Sequence, residues 1–213
     1  MRKQRLSPIN NIASSYGIGI LMLAVFAVLA WETLFQDTMN FFDDNIVRLI
    51  RYFANPVLDK IMIIMSDMGF GKSFVVIAMV TFLLLAYLKR WLEVYVLAIC
   101  LGGSSLLGIL LKNLFHRTRP ELLPMVETTS FSFPSLHALM AVCFYGMVAF
   151  LIARAVTSRR GRLAVTIFAV VLITAIGISR IYLEAHYPTD VIAGYTIGSA
   201  WLVFCTSLLN LKS

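Results

Sequence analysis

The chain has 213 residues, 60% of them hydrophobic and 14% charged, with a mean hydropathy of +0.85; soluble domains are about half apolar and about a quarter charged, so a water-soluble globular domain is excluded. At this length one unit, a single membrane domain over residues 1–213, is expected. The net charge of +7 reads as basic membrane loops and not as nucleic-acid binding, and Cys100, Cys143 and Cys205, all inside apolar runs with no C-x-x-C, read as buried thiols, not disulfide or metal sites.

The start, "MRKQRLSPINN", is basic, and the first apolar run spans 13–31. No A-x-A-like cleavage site follows it, so it is expected to be a retained helix and not a removed signal peptide. Next, "NFFDDNIVRLIRYF" places Phe42, Ile46, Leu49, Ile50 and Phe53 on one helical stripe, with Asp43, Asp44, Arg48 and Arg51 away from it. That pattern predicts an amphipathic helix lying in the membrane interface. Pro56 ends it, and "VLDKIMIIMSDMGFG" follows as a second interfacial or partly inserted helix, its apolar part too short to cross.

Five further runs, at 72–89, 91–112, 137–154, 162–180 and 190–210, complete six candidate spans. Backbone polar groups must be satisfied inside hydrocarbon, so the runs are helices. The expected fold is all-α: a polytopic membrane protein with six transmembrane helices and short interfacial helices between the first and second. In the last run, Gly194 and Gly198 are spaced for close helix packing within the bundle.

Orientation follows from Lys and Arg. With the N-terminus in the cytoplasm, ten basic residues fall inside, including the compact "RAVTSRRGR" loop, and eight fall outside. Among those eight, Lys112, Arg117, Arg119 and Arg180 gather at the outer ends of the third and fifth spans. His116, His137 and His186 fall at the same face.

Three polar segments meet there: "KNLFHRTRP", "FPSLHA" and "SRIYLEAHYPTD". Lys112, Arg119 and Arg180 offer fixed charge and N–H donors suited to phosphate oxygens. Ser135 and backbone N–H groups opening the fourth span add donors at a helix N-terminus. His186 and Asp190 are four apart, a spacing that puts both on one helical face. Asp190 can then hold the imidazole while its other nitrogen attacks, and His137 can protonate a leaving oxygen. His116 and Arg117 are read as ordinary loop residues, and Glu184 as a balance for Arg180. No His/Cys/carboxylate set has metal-ligand spacing, so neither metal nor cofactor is expected.

These residues resemble the type 2 phosphatidic acid phosphatase family, integral-membrane lipid phosphatases related to vanadium haloperoxidases. The family signature is Lys, six residues, Arg-Pro; then Pro-Ser-Gly-His; then Ser-Arg, five residues, His, three residues, Asp. Lys112 to Arg119-Pro120 and Ser179-Arg180, His186, Asp190 match in full; Pro134-Ser135-Leu136-His137 has leucine in place of glycine. The resemblance implies that Lys112, Arg119, Ser135, the Leu136 position and Arg180 bind phosphate. It also implies that His186 becomes a phosphohistidine, Asp190 orients it, His137 is the general acid and no metal is required. It further implies a lipid phosphate substrate in the bilayer of a bacterial cytoplasmic membrane, with undecaprenyl pyrophosphate or phosphatidylglycerol phosphate ahead of phosphatidic acid or diacylglycerol pyrophosphate; the basic loops add the expectation of a site facing the periplasm or cell exterior. A lipid phosphotransferase using the same phosphohistidine is the alternative enzyme, and a lipid transporter or binding protein the non-enzymatic one. Leu136 keeps the backbone N–H but adds bulk and resists positive φ.

Overall fold

A computed structural model describes residues 8–35, 40–120 and 130–210, and the regular structure within them is helical throughout. Eight helices follow in order: α1 (Pro8–Phe35), α2 (Asn40–Tyr52), α3 (Pro56–Phe70), α4 (Lys72–Tyr87), α5 (Trp91–Phe115), α6 (Leu136–Ala155), α7 (Arg159–Tyr182) and α8 (Pro188–Asn210). Five stretches are long and apolar enough to cross a bilayer: Tyr16–Phe35, Trp91–Phe115, Leu136–Ala155, Arg159–Tyr182 and Pro188–Asn210. The chain is an all-α, polytopic membrane protein.

The second expected span divides differently. α4 has 16 residues, about 24 Å of helix, which falls short of a hydrocarbon core of roughly 30 Å. It meets α3 at a 44° bend, and the two reach spanning length only as a pair. The break is built locally. The Asp67 carboxylate accepts from Lys72 N and Ser73 N, both at 2.9 Å, and so caps α4. A Cβ on Gly71 would lie 1.8 Å from Asp67 Oδ1 and 2.9 Å from Asp67 Cα, so a side chain here would displace the capping carboxylate.

α6 is the axis of the bundle, packed by α3, α5, α7 and α8. Leu139, Cys143, Phe144 and Met147 from α6 meet Leu97 and Cys100 of α5, Ile176 of α7 and Cys205 of α8. The three thiols are buried and unpaired, as expected. Outward, Val76, Val80, Leu83, Leu106, Leu110, Phe168 and Val171 are each more than half exposed, a belt that water would penalise and lipid does not. α8 lies so close to the start of α6 that a Cβ on Gly194 would come within 2.6 Å of the Ser135 carbonyl oxygen. The Gly194–Gly198 seam therefore serves packing inside the bundle.

α2 departs from expectation on one face. Phe42, Leu49 and Phe53 stay 48%, 61% and 62% exposed, but Asp43, expected on the water side, is fully buried together with Val47 against the bundle. The C-terminal ends of α5 and α7 and the N-terminal ends of α6 and α8 gather at one end of the bundle, beside α2 and α3.

Candidate active site

The turn from α7 to α8 shapes the centre. Arg180 occupies the last turn of α7, and its carbonyl accepts from both Ala185 N (3.1 Å) and His186 N (3.2 Å), folding the chain back at once. Glu184 takes a left-handed backbone conformation, φ 56°, to close this corner. Pro188 then opens α8, where a proline loses no helical hydrogen bond. Asp190, third in the helix, accepts from Tyr187 N at 2.9 Å, so it caps the helix while facing the site.

His186 sits in the turn before α8, so the His186–Asp190 pair is not the helical i,i+4 pair that the spacing suggested. His186 Nδ1 is 3.6 Å from Asp190 Oδ2, too long for a hydrogen bond. Ser132 stands between them: its hydroxyl donates to Asp190 Oδ2 at 2.5 Å and lies 3.4 Å from Nδ1. The other ring nitrogen, Nε2, faces Arg119 Nη1 at 3.4 Å. Burial first, then the charges of Lys112, Arg180 and Arg119, hold His186 well below the ordinary histidine value, which favours the neutral imidazole.

The expected cations converge on this ring. Lys112, in the last turn of α5, is buried and donates to the carbonyls of Phe131 and Ser132. Arg119 donates to the carbonyls of Ser130 (2.7 Å) and Ala185. Arg180 is 4% exposed and donates from Nη1 to Ser66 Oγ of α3 at 2.5 Å. Its buried Nε has no acceptor within the described residues, which suits it to an anionic oxygen. Glu184, expected to balance Arg180, instead pairs with Arg51 of α2 at 2.8 Å. Ser135 caps α6 and takes the Asp190 carbonyl through its own N–H at 3.0 Å. His137 lies in the first turn of α6 with its ring edge-on to Phe70, centroids 5.8 Å apart. It stands within electrostatic reach of Arg180, His186, Lys112 and Arg119.

Arg117, read from the sequence as an ordinary loop residue, and Asp43, placed on the polar side of α2, enter the same network. Arg117 donates to Asp190 Oδ1 at 2.6 Å, to Thr189 Oγ1 at 2.7 Å and to Asp43 Oδ2 at 2.8 Å. Their partners are 73 and 74 positions away in the chain, so no local spacing could have announced them.

Residues 91–213, more than half the chain, match the family model described as the PAP2 superfamily. The chain belongs to the PAP2 superfamily. It is 30% identical over 179 residues to phosphatidylglycerophosphatase B of Bacillus subtilis, covering 83% of this chain and 87% of the relative. It is 29% identical over 195 residues to an undecaprenyl-diphosphatase of Sulfolobus acidocaldarius, covering 89% of each. The crystal structure of a transmembrane PAP2-type phosphatidylglycerolphosphate phosphatase from Bacillus subtilis superposes with a TM-score of 0.84 at 26% identity, over 92% of this chain and 97% of that one. As a PAP2 protein this chain is a membrane-embedded hydrolase, a lipid phosphatase or pyrophosphatase.

This PAP2 chain departs from the family motif at Leu136, and the geometry accommodates the change. Leu136 is the first residue of α6 and has no positive φ. Its side chain turns toward α5, where Cδ1 would lie 2.6 Å from a Cβ on Gly108. The leucine thus fills the space that Gly108 leaves open.

Proposed function

We propose that the protein hydrolyses a phosphomonoester or pyrophosphate of a membrane lipid through a phosphohistidine on His186. The observation that carries this reading is the orientation of one neutral ring: Nδ1 faces Ser132 and Asp190, and Nε2 faces the Arg119 guanidinium at 3.4 Å. Lys112, Arg119, Arg180, Ser135 and the N–H groups opening α6, Leu136 included, would hold the phosphoryl oxygens and balance the charge that grows on them. Nε2 attacks the terminal phosphorus, the bond to the leaving oxygen breaks (that of the lipid alcohol in a monoester, of the lipid phosphate in a pyrophosphate), and His137 gives that oxygen a proton. Water then breaks the N–P bond, giving its proton to His137, and inorganic phosphate leaves.

The polytopic chain acts as one membrane unit, 1–213, with α3 and α4 together forming the sixth span and α2 at the interface. The excess of basic residues in the 89–90 and 154–162 loops supports a site facing the periplasm or cell exterior. Undecaprenyl pyrophosphate and phosphatidylglycerol phosphate are the favoured substrates, because the relatives named above act on such lipids. The test is phosphate release by purified protein from a panel of lipid phosphates with EDTA present. Release from one of these two lipids, undiminished by EDTA, is expected. Activity abolished by EDTA and restored by magnesium, or a phosphorylated acceptor in place of free phosphate, would overturn it.

A further inference from the structure

We infer that Arg117 is a positioning residue for the His186–Asp190 pair, and that α2 holds it in place through Asp43. This rests on the reading of His186 as nucleophile. The Asp190 carboxylate divides its two oxygens: Oδ2 takes Ser132 Oγ and Tyr187 N and faces His186, and Oδ1 takes Arg117 Nη1. Arg117 therefore fixes the rotation of the carboxylate whose other oxygen orients the imidazole. It is itself over-determined. Asp43 Oδ2 takes its Nη2, Thr189 Oγ1 accepts from its Nη1, and its guanidinium lies over the Tyr187 ring, 4.4 Å from the centroid. Asp43 is anchored in turn by Thr189 N at 3.1 Å and Thr189 Oγ1 at 2.6 Å. Both carboxylates are fully buried. A buried bidentate arginine between two carboxylates has a geometry that lysine cannot reproduce. The Asp190 and Asp43 charges outweigh burial and raise the Arg117 value, so it is cationic at every working pH.

The charge has a consequence for His186. The groups facing it are Lys112 of α5, Arg119 and Ser132 after α5, His137 of α6, Arg180 of α7 and Asp190 of α8; Arg117 stands on the far oxygen of Asp190, with Asp43 of α2 behind it. Asp190 favours a protonated imidazole, and Arg117 tempers that pull. Without Arg117 the carboxylate is undiluted, the imidazole holds its proton to higher pH, and less of it can attack. Without Asp43 the Arg117 charge acts on Asp190 undiluted and the effect reverses.

The experiment measures kcat, KM and the pH dependence of kcat/KM for Arg117→Gln, Arg117→Lys and Asp43→Asn in detergent, with phosphatidylglycerol phosphate as substrate. Burial pushes the Asp43 carboxyl up, with the Thr189 and Arg117 bonds opposing; once Arg117 is gone it can take a proton, which favours folding of the glutamine variant. Arg117→Gln is expected to move the acidic limb about one unit toward higher pH and to lower kcat with KM nearly unchanged. Arg117→Lys should lower kcat but keep the limb near its original place, and Asp43→Asn should move it toward lower pH. A limb unmoved in both Arg117→Gln and Asp43→Asn, or a loss confined to KM, would overturn the inference. If Arg117→Gln fails to fold, a limb moved toward lower pH in Asp43→Asn beside an unmoved limb and lowered kcat in Arg117→Lys decides alone. Failure of the underlying reading is distinguishable, because it would appear as a phosphoenzyme that persists in His186→Ala.

Discussion

At the residue scale, the two histidines are held in different settings, and they should fail differently. His186 sits in a turn among three cations, with Nε2 open toward Arg119; His137 opens a helix beside Phe70. As nucleophile, His186 is needed for every ester, so His186→Ala should abolish hydrolysis of both a lipid phosphate and p-nitrophenyl phosphate. As general acid, His137 matters most for a poor leaving group, so His137→Ala should cost about 10²–10⁴-fold on the lipid and much less on the activated ester. Equal losses on both esters would contradict the assignment. The pH profile carries a second expectation. A nucleophile must be unprotonated, and burial, with the Lys112, Arg180 and Arg119 charges, lowers the His186 value. Activity should therefore persist as pH falls below the ordinary histidine range of about 6.5 and be lost only through the lowered value. An acidic limb above that range would count against a buried His186. The sequence named the cations, both histidines and Asp190 because their motif spacing is local. It missed Ser132 and Arg117 because their roles come from Asp190, which lies 58 and 73 positions away.

At the element scale, the site depends on how helix ends are locked together. Ser135 N donates to the Asp190 carbonyl, and α8 approaches the same residue at Gly194, where a Cβ would lie 2.6 Å from the Ser135 carbonyl oxygen. Backbone cannot move aside as a flexible side chain can. Gly194→Ala should push α8 from α6, carry Asp190 away from His186, and reduce kcat by about 10²-fold, the scale that a 1 Å misplacement causes. Steady-state kinetics on the detergent-purified variant would check this, and an unchanged kcat would show that the two ends are not coupled. Five of the six long apolar runs coincide with the spanning helices to within about a turn, since about 20 greasy residues have few other fates. α3 and α4 were not legible as a bent pair, because the bend depends on Asp67 capping α4 across Gly71. Nor was the buried face of α2, since hydropathy puts Asp43 on the water side, and the Arg117 and Thr189 partners that bury it lie 74 and 146 positions away.

At the scale of the whole molecule, the lipid-facing belt and the polar end divide the work: the belt keeps the chain among its substrates, and the polar end gathers the groups for chemistry. The excess of basic residues in the 89–90 and 154–162 loops supports the proposal that this end faces outside. Single cysteines in a cysteine-free background should label from outside at position 127 and not at 159; the reverse pattern would invert the orientation. The central claim is the covalent step on His186. Its most direct test is to mix purified protein with phosphatidylglycerol phosphate or undecaprenyl pyrophosphate, quench within a single turnover, and map the phosphate. The account predicts an acid-labile phosphate on the peptide bearing His186 that forms and decays at least as fast as turnover; hydrolysis with no phosphorylated peptide at any time, or with the phosphate on another residue, would contradict it.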